Sequence, residues 1–134
     1  MPDTCLVQSL YDGPLDIVGD VHGEIGALCN LMEHLGYDQD GSHSEERWLV
    51  FLGDLTDRGP DSPAVVTLVK RLVSTGMAQC VLGNHDLNIL LRREKYDNDW
   101  FYGRPFVYQN QTVPQVLADE PIRNRVLEFF QTLP

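Results

Sequence analysis

The chain has 134 residues, 43% of them hydrophobic, and a formal net charge of −10. That is enough for one domain with a real core, and twenty acids against ten bases argue against docking on duplex nucleic acid. No apolar run approaches membrane-spanning length, and the start, Met1-Pro2-Asp3-Thr4, has neither a basic nor an apolar leader character. Three cysteines, Cys5, Cys29 and Cys80, are an odd number without C-x-x-C spacing. They read as reduced thiols in a cytoplasmic setting, with Cys29 and Cys80 in core-facing segments.

In chain order, the β-prone run Leu15-Asp16-Ile17-Val18 stops at a first box, Gly19-Asp20-Val21-His22-Gly23. Residues 24–35 then place Ile25, Leu28, Leu31, Met32 and Leu35 on one face at three- and four-residue spacing, an amphipathic helix closed by Gly36. Residues 37–47 are polar and turn-rich; Asp38-Gln39-Asp40-Gly41 reads as an Asx/Gly turn, its downstream acid being misplaced for a calcium loop. A second run, Trp48-Leu49-Val50-Phe51-Leu52, ends at Gly53-Asp54-Leu55-Thr56-Asp57-Arg58-Gly59.

Ser62 followed by Pro63 predicts a capped helix start, and Val65, Val66, Leu68, Val69, Leu72 and Val73 form a broad stripe ending at Gly76. The third run, Cys80-Val81-Leu82, meets Gly83-Asn84-His85-Asp86, and a short helix is expected over residues 87–93. Residues 96–111 hold Trp100, Phe101, Tyr102, Phe106 and Tyr108 without a clear period. They read as a loop or cap over the site, with core packing beneath a long loop as the alternative. A last helix is expected over 120–133, burying Ile122, Val126, Phe129 and Phe130. The pattern is α/β: strand, box and helix, repeated three times.

A strand that stops at glycine with polar side chains just beyond it is how an α/β sheet builds a site at one edge. Asp20 and His22, two positions apart, can face one side and offer a carboxylate and an imidazole suited to Mn, Fe or Zn. Asp54 occupies the same place in the next unit, where one carboxylate can bridge two cations about 3.5–4 Å apart. Asn84 adds a neutral oxygen at the third strand end. Arg58 offers a forked donor for phosphate, His85 a proton for a leaving oxygen, and Asp57 a partner to hold that imidazole.

The three boxes resemble those of the calcineurin-like metallophosphoesterases, in particular the phosphoprotein-phosphatase branch with its GDxHG and GDxxDRG signatures and GNH followed by Glu or Asp. The flanking text, Ile17 to Gly23 and Val81 to Leu87, is similar to bacterial members, among them symmetrical diadenosine tetraphosphate hydrolases and small Ser/Thr-type phosphatases. The resemblance implies a four-layer αββα architecture around a central β-sandwich. Residues 1–134 would be the N-terminal part of one such domain, its C-terminal half absent. It places Asp20 and His22 on a first metal, Asp54 between two metals and Asn84 on the second. Arg58, Asn84 and His85 would face substrate phosphate, with His85 paired to Asp57 as proton donor. The implied cofactors are two divalent ions, manganese first, with iron, zinc, nickel, cobalt or magnesium as alternatives.

The implied substrates are phosphoproteins or small phosphomonoesters, with diadenosine tetraphosphate as the alternative. After His85 the sequence contains no histidine, whereas the family carries two further histidine ligands and usually a second arginine. His34 and His43 read as solvated or packed, so the second metal would keep only Asp54 and Asn84. Two rival readings follow: a catalytically silent metal-binding or regulatory fragment, and a split enzyme completed by a second chain. The expectation for these residues alone is one weakly held ion, little turnover and self-association through uncovered sheet edges.

Overall fold

The structure is a computed structural model describing residues 6–95 and 97–134. Three strands, β1 (Leu15–Val18), β2 (Trp48–Phe51) and β3 (Ala78–Cys80), form one parallel sheet in the order β1-β2-β3. The crossovers are helices α1 (Ile25–Leu35) and α2 (Ser62–Ser74). Parallel neighbours need such crossovers, and the parallel pairing carries all three strand ends to one edge. α3 (Asn84–Leu90) follows the third strand, then a 3₁₀ turn (Asp99–Tyr102), an antiparallel pair β4 (Phe106–Tyr108) and β5 (Gln111–Val113), and α4 (Glu120–Gln131).

The α/β alternation of strand, box and helix is the one read from the sequence. Within the described residues it gives one three-stranded sheet and a separate two-stranded pair. The register puts Val18, Phe51 and Cys80 side by side on one face, all buried. α2 packs on β3, α1 and α4 pack on α2, and α3 packs on α4. Val65, Val66, Val69 and Leu72 of α2 are almost wholly buried, each contributing about 1.5–3 kcal/mol of transfer free energy. On the other face Gln79 is held by the N-terminal segment, its Nε2 donating to the Ser9 carbonyl at 2.7 Å. Ile17, on that same face, is 62% exposed.

Several expectations shift locally. The cap of α2 is Asp61, whose carboxylate accepts the Ala64 N–H at 3.0 Å, while the Ser62 hydroxyl is turned to Asp57 and accepts its N–H at 3.0 Å. The third helix begins at Asn84 rather than residue 87, because Asp86 accepts the Gly83 N–H at 3.0 Å and satisfies its first turn. Residues 96–111, expected as a loop or cap, contain the 3₁₀ turn and β4, with Trp100 and Phe101 at 0% exposure in the core. Cys29 is exposed, contrary to expectation, because it lies at the margin of the α1 face that buries Leu28 and Met32; Cys80 is buried and Cys5 lies outside the described residues. In the Asx turn, Asp38 Oδ1 accepts the N–H of Asp40 and of Ser42, both at 2.9 Å. No helix among the described residues is long and apolar enough to cross a membrane.

Candidate metal and acid–base centre

The three boxes are joined by main chain before any side chain acts. Val21 and His22 both donate their N–H to the Asp54 carbonyl at 3.0 Å, and Gly23 donates to Leu55 at 2.8 Å. A Cβ on Gly59 would lie 2.0 Å from the His22 carbonyl, and one on Gly53 would lie 2.1 Å from the Gly83 nitrogen. Only glycine permits backbones so close. Asp86 closes the seam: its buried carboxylate accepts N–H groups from Asp54 (2.8 Å), Leu55 (3.0 Å) and Gly83 (3.0 Å). Burial pushes this acid up to about 6 even though three backbone donors favour its ionised form.

Strain marks the same turns. His22, Asp54, Asp57 and Arg58 all have positive φ, between 46° and 81°. Such conformations are costly for non-glycine residues and cluster where the chain must aim side chains.

The expected ligand residues come to the one edge. His22 Nδ1 lies 2.8 Å from the Thr56 carbonyl, a contact that fixes the proton on Nδ1 and leaves Nε2 as a lone-pair donor. That Nε2 is 3.5 Å from Asp20 Oδ2, and the Asp20 side chain is 62% exposed. Asp54 Oδ1 accepts the His85 N–H at 2.9 Å. The Asn84 carbonyl oxygen faces the Asp54 carboxylate, acceptor against acceptor; turning the amide over would bring its NH₂ to 3.1 and 3.2 Å from the two oxygens. A cation held between the groups would select the first orientation. Two carboxylates, an imidazole nitrogen and an amide oxygen are a donor set that fits a divalent transition metal.

A second cluster lies beside it. His85 Nδ1 is 2.8 Å from Asp57 Oδ2, and the Trp100 indole N–H donates to Asp57 Oδ1 at 2.7 Å. Asp57 is 1% exposed, and burial raises its pKa against the opposing pull of these two hydrogen bonds. The rings of His22 and His85 stand edge to face, 4.6 Å between centroids. Asp97 Oδ2 accepts Arg58 Nε at 3.0 Å and lies 3.8 Å from His85 Nδ1. Asp57, His85 and Asp97 thus gather in one place as a metal site would. N–H groups already point at both Asp57 oxygens and at Asp97, so these acids have partners within the protein.

Asp20 and His22 follow β1, Asp54, Asp57 and Arg58 follow β2, and Asn84 and His85 open α3. His43 is packed, its Nε2 2.8 Å from the Leu35 carbonyl, and His34 is exposed on α1. Asp86, Asp97 and Trp100 were not foreseen in these roles.

A family model described as calcineurin-like phosphoesterase matches residues 13–132. Over 74 residues the chain is 49% identical to a protein of Oceanobacillus iheyensis named asymmetrical bis(5'-nucleosyl)-tetraphosphatase PrpE, covering 53% of this chain and 30% of the relative. A protein of the same name from Bacillus velezensis is 48% identical over 73 residues, covering 52% of this chain and 29% of the relative. The match therefore spans under a third of these relatives' length. A solved point mutant of a cold-active protein tyrosine phosphatase aligns with 62% of this chain and 29% of its own at 28% identity, with a TM-score of 0.47. By the match along nearly its whole length, the chain belongs to the calcineurin-like phosphoesterase family.

Proposed function

We propose that these residues form part of a metal-dependent phosphoester hydrolase site, with Asp20, His22, Asp54 and Asn84 as metal ligands. The observation that carries this reading is the pairing of His85 with Asp57 at 2.8 Å, beside a His22 whose Nδ1 is already tied to a carbonyl. Two divalent cations, when bound at such a site, acidify a water and offset phosphate charge. The side chains do the rest. Arg58 grips a phosphate oxygen. Water gives up a proton to solvent as it adds to phosphorus, the bond to the leaving oxygen breaks, and that oxygen takes the proton from His85 Nε2. Asp57 holds the imidazole by Nδ1 and stabilises its charged form before transfer.

Dinucleoside polyphosphates are the preferred substrate class, because the relatives are named for tetraphosphate cleavage. Those names specify the asymmetrical reaction, whereas the sequence resemblance was to symmetrical hydrolases. Phosphoproteins and small phosphomonoesters are the second class. The reading also holds that residues 1–134 are the N-terminal part of one domain, whose further ligands come from outside them. Manganese is the first choice of metal. A silent metal-binding fragment is the second reading, favoured by the absence of any histidine after His85.

The test is metal affinity with and without the bridge. Asp54→Asn removes charge from both proposed ions, and Asn84→Ala removes one neutral donor. Calorimetric affinity for Mn²⁺ should fall further for Asp54→Asn, and equal losses would argue against a bridge. Turnover of diadenosine tetraphosphate and p-nitrophenyl phosphate by the same preparations, measured with Mn²⁺, separates the hydrolase from the silent fragment.

A further inference from the structure

Asp97 lies outside the three boxes, in the loop after α3, and it is buried. A buried carboxylate is costly unless its oxygens are used. Its Oδ2 accepts Arg58 Nε at 3.0 Å, and its main-chain carbonyl accepts the Arg58 N–H at 3.3 Å. The neighbouring Asn98, fully buried, fixes the loop: its Oδ1 accepts the Lys95 N–H at 2.8 Å and its Nδ2 donates to the Arg93 carbonyl at 2.9 Å. Arg58 itself sits on positive-φ backbone (70°) with its side chain 52% exposed. An exposed arginine normally samples many rotamers; this one is held at Nε by a buried carboxylate, and its main chain is tied to the same residue.

Resting on the phosphate role proposed for Arg58, we infer that Asp97 is a positioning residue which sets the plane of the Arg58 guanidinium before phosphate arrives. The guanidinium is rigid and planar, so holding Nε orients both terminal nitrogens at once. Ordering the fork in advance removes part of the entropy that binding would otherwise cost. Asp97 Oδ2 is 3.8 Å from His85 Nδ1, beyond hydrogen-bond reach, so its main effect falls on Arg58.

The probe is inorganic phosphate, titrated calorimetrically into the chain with Mn²⁺. Asp97→Asn, which keeps the shape and loses the charge, should weaken phosphate binding by roughly tenfold. Asp97→Glu should recover part of it. In an Arg58→Ala background Asp97→Asn should change nothing further, because the group it positions is gone. Without any ligand, the Arg58 Nε–Hε resonance should be slow to exchange in the wild type and fast in Asp97→Asn. Undiminished phosphate affinity in Asp97→Asn would overturn the inference. So would an equal loss in both backgrounds, which would make Asp97 a support of its loop. A wild-type chain that binds Mn²⁺ but no phosphate would instead overturn the role proposed for Arg58, and this inference with it.

Discussion

The two ends of the three-stranded sheet treat their acids in opposite ways. Near the start of β1, Asp16 receives Nε and Nη2 of Arg47 at 2.9 and 2.8 Å and the Tyr37 hydroxyl at 2.6 Å. The guanidinium holds its carboxyl down at about 2. At the far end, Asp86 has three backbone N–H groups and Asp57 an indole and an imidazole, and burial raises both acids. One end neutralises its negative charge with a formal cation from its own chain. The other gives the Arg58 cation to Asp97 and surrounds Asp57 and Asp86 with neutral or switchable donors, which leaves their charge for a metal ion or a transferred proton to answer. Built-in compensation belongs to stability, and uncompensated charge belongs to chemistry.

The sharpest test pits one methyl against an ion pair. Gly53→Ala puts a Cβ 2.1 Å from the Gly83 nitrogen at a φ of +89°. It should lower unfolding free energy by about 4 kcal/mol or more, or prevent folding. Asp16→Asn, measured in the same urea titration, should cost less; the reverse order would show that the box seam yields. Next in size is Asp86→Ala, which leaves three backbone donors without their acceptor and should cost about 3 kcal/mol.

The smallest effect is the one that changes sign with pH. Asp16 titrates lower in the folded chain than its ordinary 3.8, so its stabilisation is complete above about 4 and is lost as pH falls towards 2. Asp86 titrates higher, at about 6, so its ionisation weakens the fold increasingly as pH rises from about 4 through 6. In chelator, melting temperatures of Asp16→Asn should lose part of the wild type's acid limb. Those of Asp86→Asn should lose part of the decline above pH 4. Parallel curves for wild type and both variants would remove the contrast between the two ends.

Much of this was readable from local signals. Runs of β-prone residues halted by glycine located the strand ends, and three- and four-residue spacing located α1 and α2. The proposed ligands needed nothing more, because each box is continuous in sequence. What escaped was tertiary. Asp86 closes the third box in sequence, but its reach to Asp54 and Leu55 depends on β2 and β3 lying side by side. Asp97 and Trp100 sit in a stretch with no period, and no spacing rule carries either back to the second box. Ser62 differs from the sequence expectation for the same reason: its hydroxyl serves Asp57, while Asp61 serves the helix.

Trp100 has an optical consequence. The sequence holds two tryptophans, and the fold places one at each end of the sheet. Trp48 starts β2, half-buried, 4.6 Å from the ring of Tyr11. Trp100 is fully enclosed, with its N–H on the carboxylate that holds His85. Replacing Trp48 with phenylalanine therefore leaves a single tryptophan, wired to the acid–base pair, and its emission, excited selectively beyond the tyrosine band, becomes a label-free readout of the pair's state.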